Sequence, residues 1–140
     1  MTTNADITIF NKRYVREERT EKFVATQIRG VSFYSRKGTS SGNQDRNVKD
    51  TYTIRVPDTA DTSGKAYAEQ KEYSGMDDET FPGYWTIQRG DIIIRGLCDC
   101  ETATETELKQ NYPDVITVDN FSDNRSRCSE CMRHWRIGGE

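Results

Sequence analysis

A chain of 140 residues, 33 % hydrophobic and 31 % charged, is long enough for one domain with a thin core, residues 1–140 forming a single unit. That balance suits a small β-barrel or sandwich with solvated loops and fits a deep-cored enzyme poorly. A formal net charge of −3 argues against a protein that wraps nucleic acid by neutralising phosphates.

No run approaches the roughly 18 apolar residues that span a bilayer, so no membrane partner is expected. Met1 to Asp6 carries neither a basic n-region nor an apolar h-region. The expectation is a protein that stays in the cytoplasm where it is made.

In chain order, Ile7-Thr8-Ile9-Phe10 opens the first strand, and a highly charged stretch runs from Asn11 to Lys22. Lys22 to Arg36 reads as one long strand kinked at Gly30, as at a barrel corner, because a glycine inside a strand pattern marks a bend or bulge. Gly38 to Asn47 is a polar loop. In Val48 to Val56, Tyr52, Ile54 and Val56 share one face, and Thr51, Thr53 and Arg55 share the other.

Asp58 to Pro82 has few apolar residues and little periodicity. A loop of about 25 residues inside a small domain is unusual and is normally functional or disordered. Tyr84 to Arg95 reads as a β-hairpin turning on Arg89-Gly90-Asp91, with Gly90 supplying positive φ and Arg89 and Asp91 solvating the tip. Thr104-x-x-Glu107 is a capping box that opens a short helix, stopped by Pro113. Val115 to Phe121 and Met132 to Ile137 are the last strands, the second ended by Gly138-Gly139. The expected fold is all-β: a small antiparallel barrel or sandwich of about seven strands with one short helix and a long mid-chain loop.

Chemistry-bearing residues are sparse. Cys98-x-Cys100 and Cys128-x-x-Cys131 form two close pairs with 27 residues between them. Four thiolates so arranged are a candidate structural zinc site, which would pin the loop before the last strand to the end of the hairpin. Incidental free thiols and disulfides are the alternatives. A thioredoxin-type use of Cys128 and Cys131 needs a strand–helix setting that the local pattern lacks.

His134, the only histidine, lies in a strand beside Trp135 and reads as structural. No nucleophile elbow, phosphate-cradling glycine loop or His-x-Glu helix is present, so no catalysis is expected. Asp77-Asp78-Glu79 lacks the alternating spacing of a calcium loop and reads as solvated. Arg89-Gly90-Asp91 spells an adhesion tripeptide but is explained by turn geometry. Basic residues interleave with aromatics at Lys12-Arg13-Tyr14-Val15-Arg16 and recur at Arg125, Arg127, Arg133 and Arg136. Glu17, Glu18, Glu21, Asp119 and Asp123 lie close to them, which favours charge-mixed barrel faces over an oligonucleotide surface.

Several of these segments together resemble a family. Asp6 to Tyr14, Ile28 to Tyr34, Tyr52 to Pro57, Gly90 to Gly96, and the end from Asp123 through His134 to Gly139 are similar to small proteins of phage and prophage morphogenesis clusters in Firmicutes. Size and strand order resemble head–tail joining proteins, above all the head-closure or stopper type.

The resemblance implies a virion structural protein made in the bacterial cytoplasm, a barrel forming a homo-oligomeric ring beneath the portal and its adaptor. Tail-completion proteins would dock on neighbouring faces, and DNA would pass through the channel without specific binding. Asp58 to Pro82 would be the mobile channel-facing loop, with Asp58, Asp77, Asp78 and Pro82 on it and Gly64, Gly75 and Gly83 as hinges. The cysteine pairs are a departure from that pattern. The rival reading is a zinc-stapled barrel module that binds single-stranded nucleic acid or a host protein.

Overall fold

A computed structural model describes residues 3–15, 19–37, 50–77, 79–98, 102–112, 115–125 and 133–140. Strands β1 (Ala5–Val15) and β2 (Thr20–Lys37) pair antiparallel from Val15 opposite Thr20 to Ala5 opposite Val31. Gly30, at φ +82°, lets β2 bend there. Beyond the bend β2 leaves β1 and pairs with β3 (Asp50–Pro57), from Ser32 opposite Arg55 to Lys37 opposite Asp50. The corner expected at Gly30 is therefore present, as is the alternation of β3, where Ile54 and Val56 are buried.

The circle closes through β9 (His134–Gly139), β8 (Val115–Asp123) and β6 (Ile92–Arg95), which returns to β1. The result is a closed antiparallel barrel in the order β1-β6-β8-β9-β3-β2. Closure removes the free edges that an open sheet would offer to other chains.

Ile7, Ile9, Ile28, Val31, Ile54, Ile93, Ile116 and Ile137 fill the interior together with Trp85, Ile87 and Trp135. Trp85 and Trp135 meet edge to face at 5.2 Å, and Tyr67 caps the pair. A second apolar cluster forms outside the barrel wall. There Phe10, Phe23, Ile92 and Ile94 are covered by Ala103 of β7 (Thr102–Ala103) and Leu108 of the helix α2 (Glu105–Asn111).

The capping box at α2 is formed as expected. Glu107 N–H donates to Thr104 Oγ1, and Thr104 N–H donates to the Glu107 carboxylate. Replacing Thr104 by alanine is expected to lower stability by about 1 kcal/mol in urea unfolding, the ordinary worth of an N-cap.

Three expectations are corrected. Tyr84 to Arg95 is not a hairpin: β5 (Tyr84–Trp85) pairs in parallel with β4 (Ala66–Tyr67), and β6 has both edges occupied by β1 and β8. The turn survives, with Asp91 N–H donating to Gln88 O and Gly90 at φ +88°, but Asp91 is fully buried and does not solvate it. The segment from Asp58 to Pro82 is not a featureless loop, because it carries β4, helix α1 (Gln70–Gly75) and the start of a 3-10 turn (Phe81–Gly83). Finally, the last strand does not stop at Ile137: Gly138 and Gly139 belong to β9 as its last two residues.

Candidate functional surface

The interior of the barrel is filled by its own side chains, so the surfaces available for function are the ends and the outer faces. The segment from Asp58 to Gly83 crosses one of these regions in two parts. In the first part Asp61 forms a two-way backbone bridge with Arg29 beside the Gly30 bend, and their side chains approach to 3.7 Å. Lys65 Nζ donates to Ala25 O at 2.8 Å and to Thr26 Oγ1 at 3.0 Å. Gly64, at φ +78°, makes the turn between these anchors, and Asp58 N–H donates to Arg133 O.

The second part is α1 and the 3-10 turn. Tyr73 is buried, and burial pushes its phenol up to about 12. Arg13 is also buried although it is charged. Its position follows from strand parity: Ile7, Ile9, Asn11 and Arg13 share one face of β1, which turns from apolar to polar near the barrel end. The guanidinium donates to Tyr73 O and Met76 O. It also lies 4.4 Å from the Phe81 ring centroid and 5.4 Å from that of Tyr73.

Asp77, in the acidic cluster, accepts from Thr80 N–H at 2.8 Å, and hydrogen bonding to the Thr80 side chain, together with this N–H, lowers its carboxyl. It thus caps the following turn. Asp78 lies outside the described residues. Pro82 is exposed within the 3-10 turn, and Gly75 is the last residue of α1.

One position earlier on the same face of β1, Asn11 bridges to the chain around Asp91. Its amide donates to Thr86 O and to Asp91 Oδ2 at 2.8 Å, and its carbonyl accepts from Thr86 N–H at 3.2 Å. Asp91 accepts twice more, from Lys12 N–H and from Gln88 N–H, each at 3.0 Å. Burial pushes the carboxyl up to about 7, against the pull of these three donors and the Lys12 charge.

The folded state therefore holds the Asp91 proton to higher pH than the unfolded chain does. Stability should be highest near pH 4 and fall as pH rises to 7, then level off. Asp77, Glu105 and Asp123, whose carboxyls are lowered, contribute stability that is lost only as pH falls through the acid range. Urea unfolding between pH 4 and 8 checks this, and the downward slope should vanish in Asp91→Asn.

The outer faces carry the remaining candidates. Cys98 is buried in the second apolar cluster, with its sulfur 2.8 Å from the Tyr112 hydroxyl. Cys100, Cys128 and Cys131 lie outside the described residues, so the zinc arrangement is not on view. Among the described residues no group of three or more His, Cys, Asp or Glu side chains is placed to hold a metal.

His134 is buried in β9 and meets Asn124 at 3.3 Å. Arg125 makes a two-pronged pair with Asp123, at 2.9 and 2.7 Å, and stacks on Trp135 at 4.6 Å. Lys12 pairs with Glu21 at 3.2 Å. Arg13 and Arg125 are thus engaged within the fold, whereas Arg133 and Arg136 are exposed. Arg16 and Arg127 are outside the described residues.

A surface cleft of about 400 Å³ opens where β3, β8 and β9 meet, bordered by Tyr34, Thr53, Asp119, Asn120 and Arg136. Tyr14, Tyr34, Leu97 and Phe121 are the exposed large apolar side chains among the described residues.

Sequence reasoning missed Asn11, Asp91 and Tyr73. The available signal was the change from isoleucine to asparagine and arginine at alternate positions of β1. Among the described residues no helix is long and apolar enough to cross a membrane.

No curated protein matches the chain, and no solved structure does. Its whole length, residues 1–140, matches a family described as a family of unknown function, DUF6751, and the chain belongs to that family.

Proposed function

We propose that this chain is a non-catalytic structural component of a phage or prophage head–tail connector, a barrel that joins a homo-oligomeric ring at head closure. The observation that carries the reading is the closed barrel with a filled interior, which leaves outer faces and end segments to make contacts. The segmental resemblance to morphogenesis-cluster proteins supplies the setting. Net acidity suits a channel wall along which DNA must slide.

In this reading the portal or its adaptor lies on one side and tail-completion proteins on the other, within the virion. The segment from Asp58 to Gly83 is the part that would meet the channel or a neighbouring subunit. It starts from a state laid against its own barrel, not from a free loop.

Deleting the gene and imaging the resulting particles by electron microscopy tests this. Empty or DNA-leaking heads beside free, normal tails are expected. Complete, infectious particles would overturn the reading.

A further inference from the structure

We propose that the described residues from Glu69 to Gly83 form a strap that opens from the barrel end as one unit, with Arg13 as its latch. The base of the strap is a hinge. β4 leads into it and β5 leads out, and these two strands lie side by side, Ala66 opposite Tyr84 and Tyr67 opposite Trp85. Ala68 N–H donates to Trp85 O at 2.9 Å and completes this base. Entry and exit are tied together, so the strap can swing without unpairing the barrel.

The strap does not hold itself. α1 is six residues long and has no side-chain bond at its N-cap and no basic residue in its last turn. A helix of that length is not stable alone, and its last carbonyls need donors from elsewhere. Arg13 supplies them from β1. Its two terminal nitrogens bond Tyr73 O and Met76 O while its face stacks on Phe81. Three separate parts of the strap therefore meet at one cation, which also complements the negative end of the helix dipole.

Closure carries a cost that favours opening. Arg13 Nε and Tyr73 Oη are buried without a hydrogen-bond partner, and opening would return both to water. Barrel strands β3 and β9 also bury unpartnered nitrogens, Arg55 Nε and Trp135 Nε1, but those strands are held by backbone pairing around a closed circle, which the strap lacks. The strap is thus the place where local opening should be separated from global unfolding. The inference does not depend on the connector reading.

Native-state hydrogen exchange on the intact protein tests it. The amides of Tyr73, Met76 and Gly83, which bond Glu69 O, Tyr73 O and Thr80 O, should exchange together, at least about tenfold faster than those of Ile9 and Ile93. Arg13→Met should speed exchange of the strap amides by a further factor of about ten and leave the barrel amides unchanged. Arg13→Lys, which keeps the charge but loses the fork, should fall between. Strap amides that exchange at the barrel rate in the unaltered protein would overturn the proposal. So would an Arg13→Met protein whose strap protection is unchanged, or one whose barrel amides lose protection together with the strap.

Discussion

Replacing Asp91 by alanine is expected to lower the unfolding free energy by about 3 kcal/mol, because three donors, two of them in buried bonds, lose their acceptor at once. The Asn11 amide and the Lys12 and Gln88 N–H groups all converge on this carboxylate, and Asp91 itself is fully buried. The effect extends beyond one turn, since Asn11 also holds Thr86 through both backbone groups. Trp85 and Ile87 on either side of Thr86 belong to the core, so loosening Thr86 weakens the packing of both.

Urea unfolding of the variant measures the loss. A further change of Asn11 to leucine in the Asp91→Ala background should be less than additive, because the two residues act as a unit. A loss under about 1 kcal/mol for Asp91→Ala would mean that the carboxylate is not an organising centre.

Replacing Gly139 by alanine should be nearly as damaging, at about 2 to 3 kcal/mol, the usual cost of overpacking a tight contact. A Cβ there would lie 2.6 Å from Thr117 O and 2.7 Å from Ile116 Cγ2. The carbonyl belongs to the neighbouring strand and can move only if β8 moves. β8 and β9 come this close around a register shift between Val118 and Asn120, with Gly139 opposite Val118 and Gly138 opposite Asn120.

The neighbouring Gly138→Ala is the internal comparison. Its Cβ would meet the Asn120 side chain at 2.6 Å, and that amide sits on an exposed residue and can rotate away. Thermal unfolding should place Gly138→Ala well above Gly139→Ala in melting temperature. Equal losses would show that backbone approach at Thr117 is not what distinguishes the two sites.

These two positions also show where the sequence could be read and where it could not. Strands β1, β2, β3 and β8 announce themselves by alternation, the β2 corner by Gly30, and α2 by its capping box, all of them local signals. Gly138-Gly139 carries an equally strong local signal for a stop after Ile137, yet both glycines pair as the last two residues of β9. The glycines serve close approach to β8, a requirement that only the pairing reveals.

The strands β4, β5 and β7 have two residues each and exist because a partner edge lies beside them. The hairpin expected from Tyr84 to Arg95 fails for the related reason that β1 and β8 occupy both edges of β6. The polar network is the least legible part. Asn11 and Asp91 are 80 residues apart, and Arg13 and Tyr73 are 60 apart. Nothing local marks either pair beyond polar residues at positions of β1 that should face inward. Arg89-Gly90-Asp91 was legible as a turn, but the burial of its aspartate comes from the barrel end that closes over it.

The most direct measurement for the proposed role is quantitative mass spectrometry of purified particles from the phage or induced prophage that encodes this chain. A head–tail connector component should be present in a fixed, multiple-copy ratio to the portal protein and should remain after free protein is washed away. Particles that are complete and infectious yet contain none of it would contradict the connector assignment.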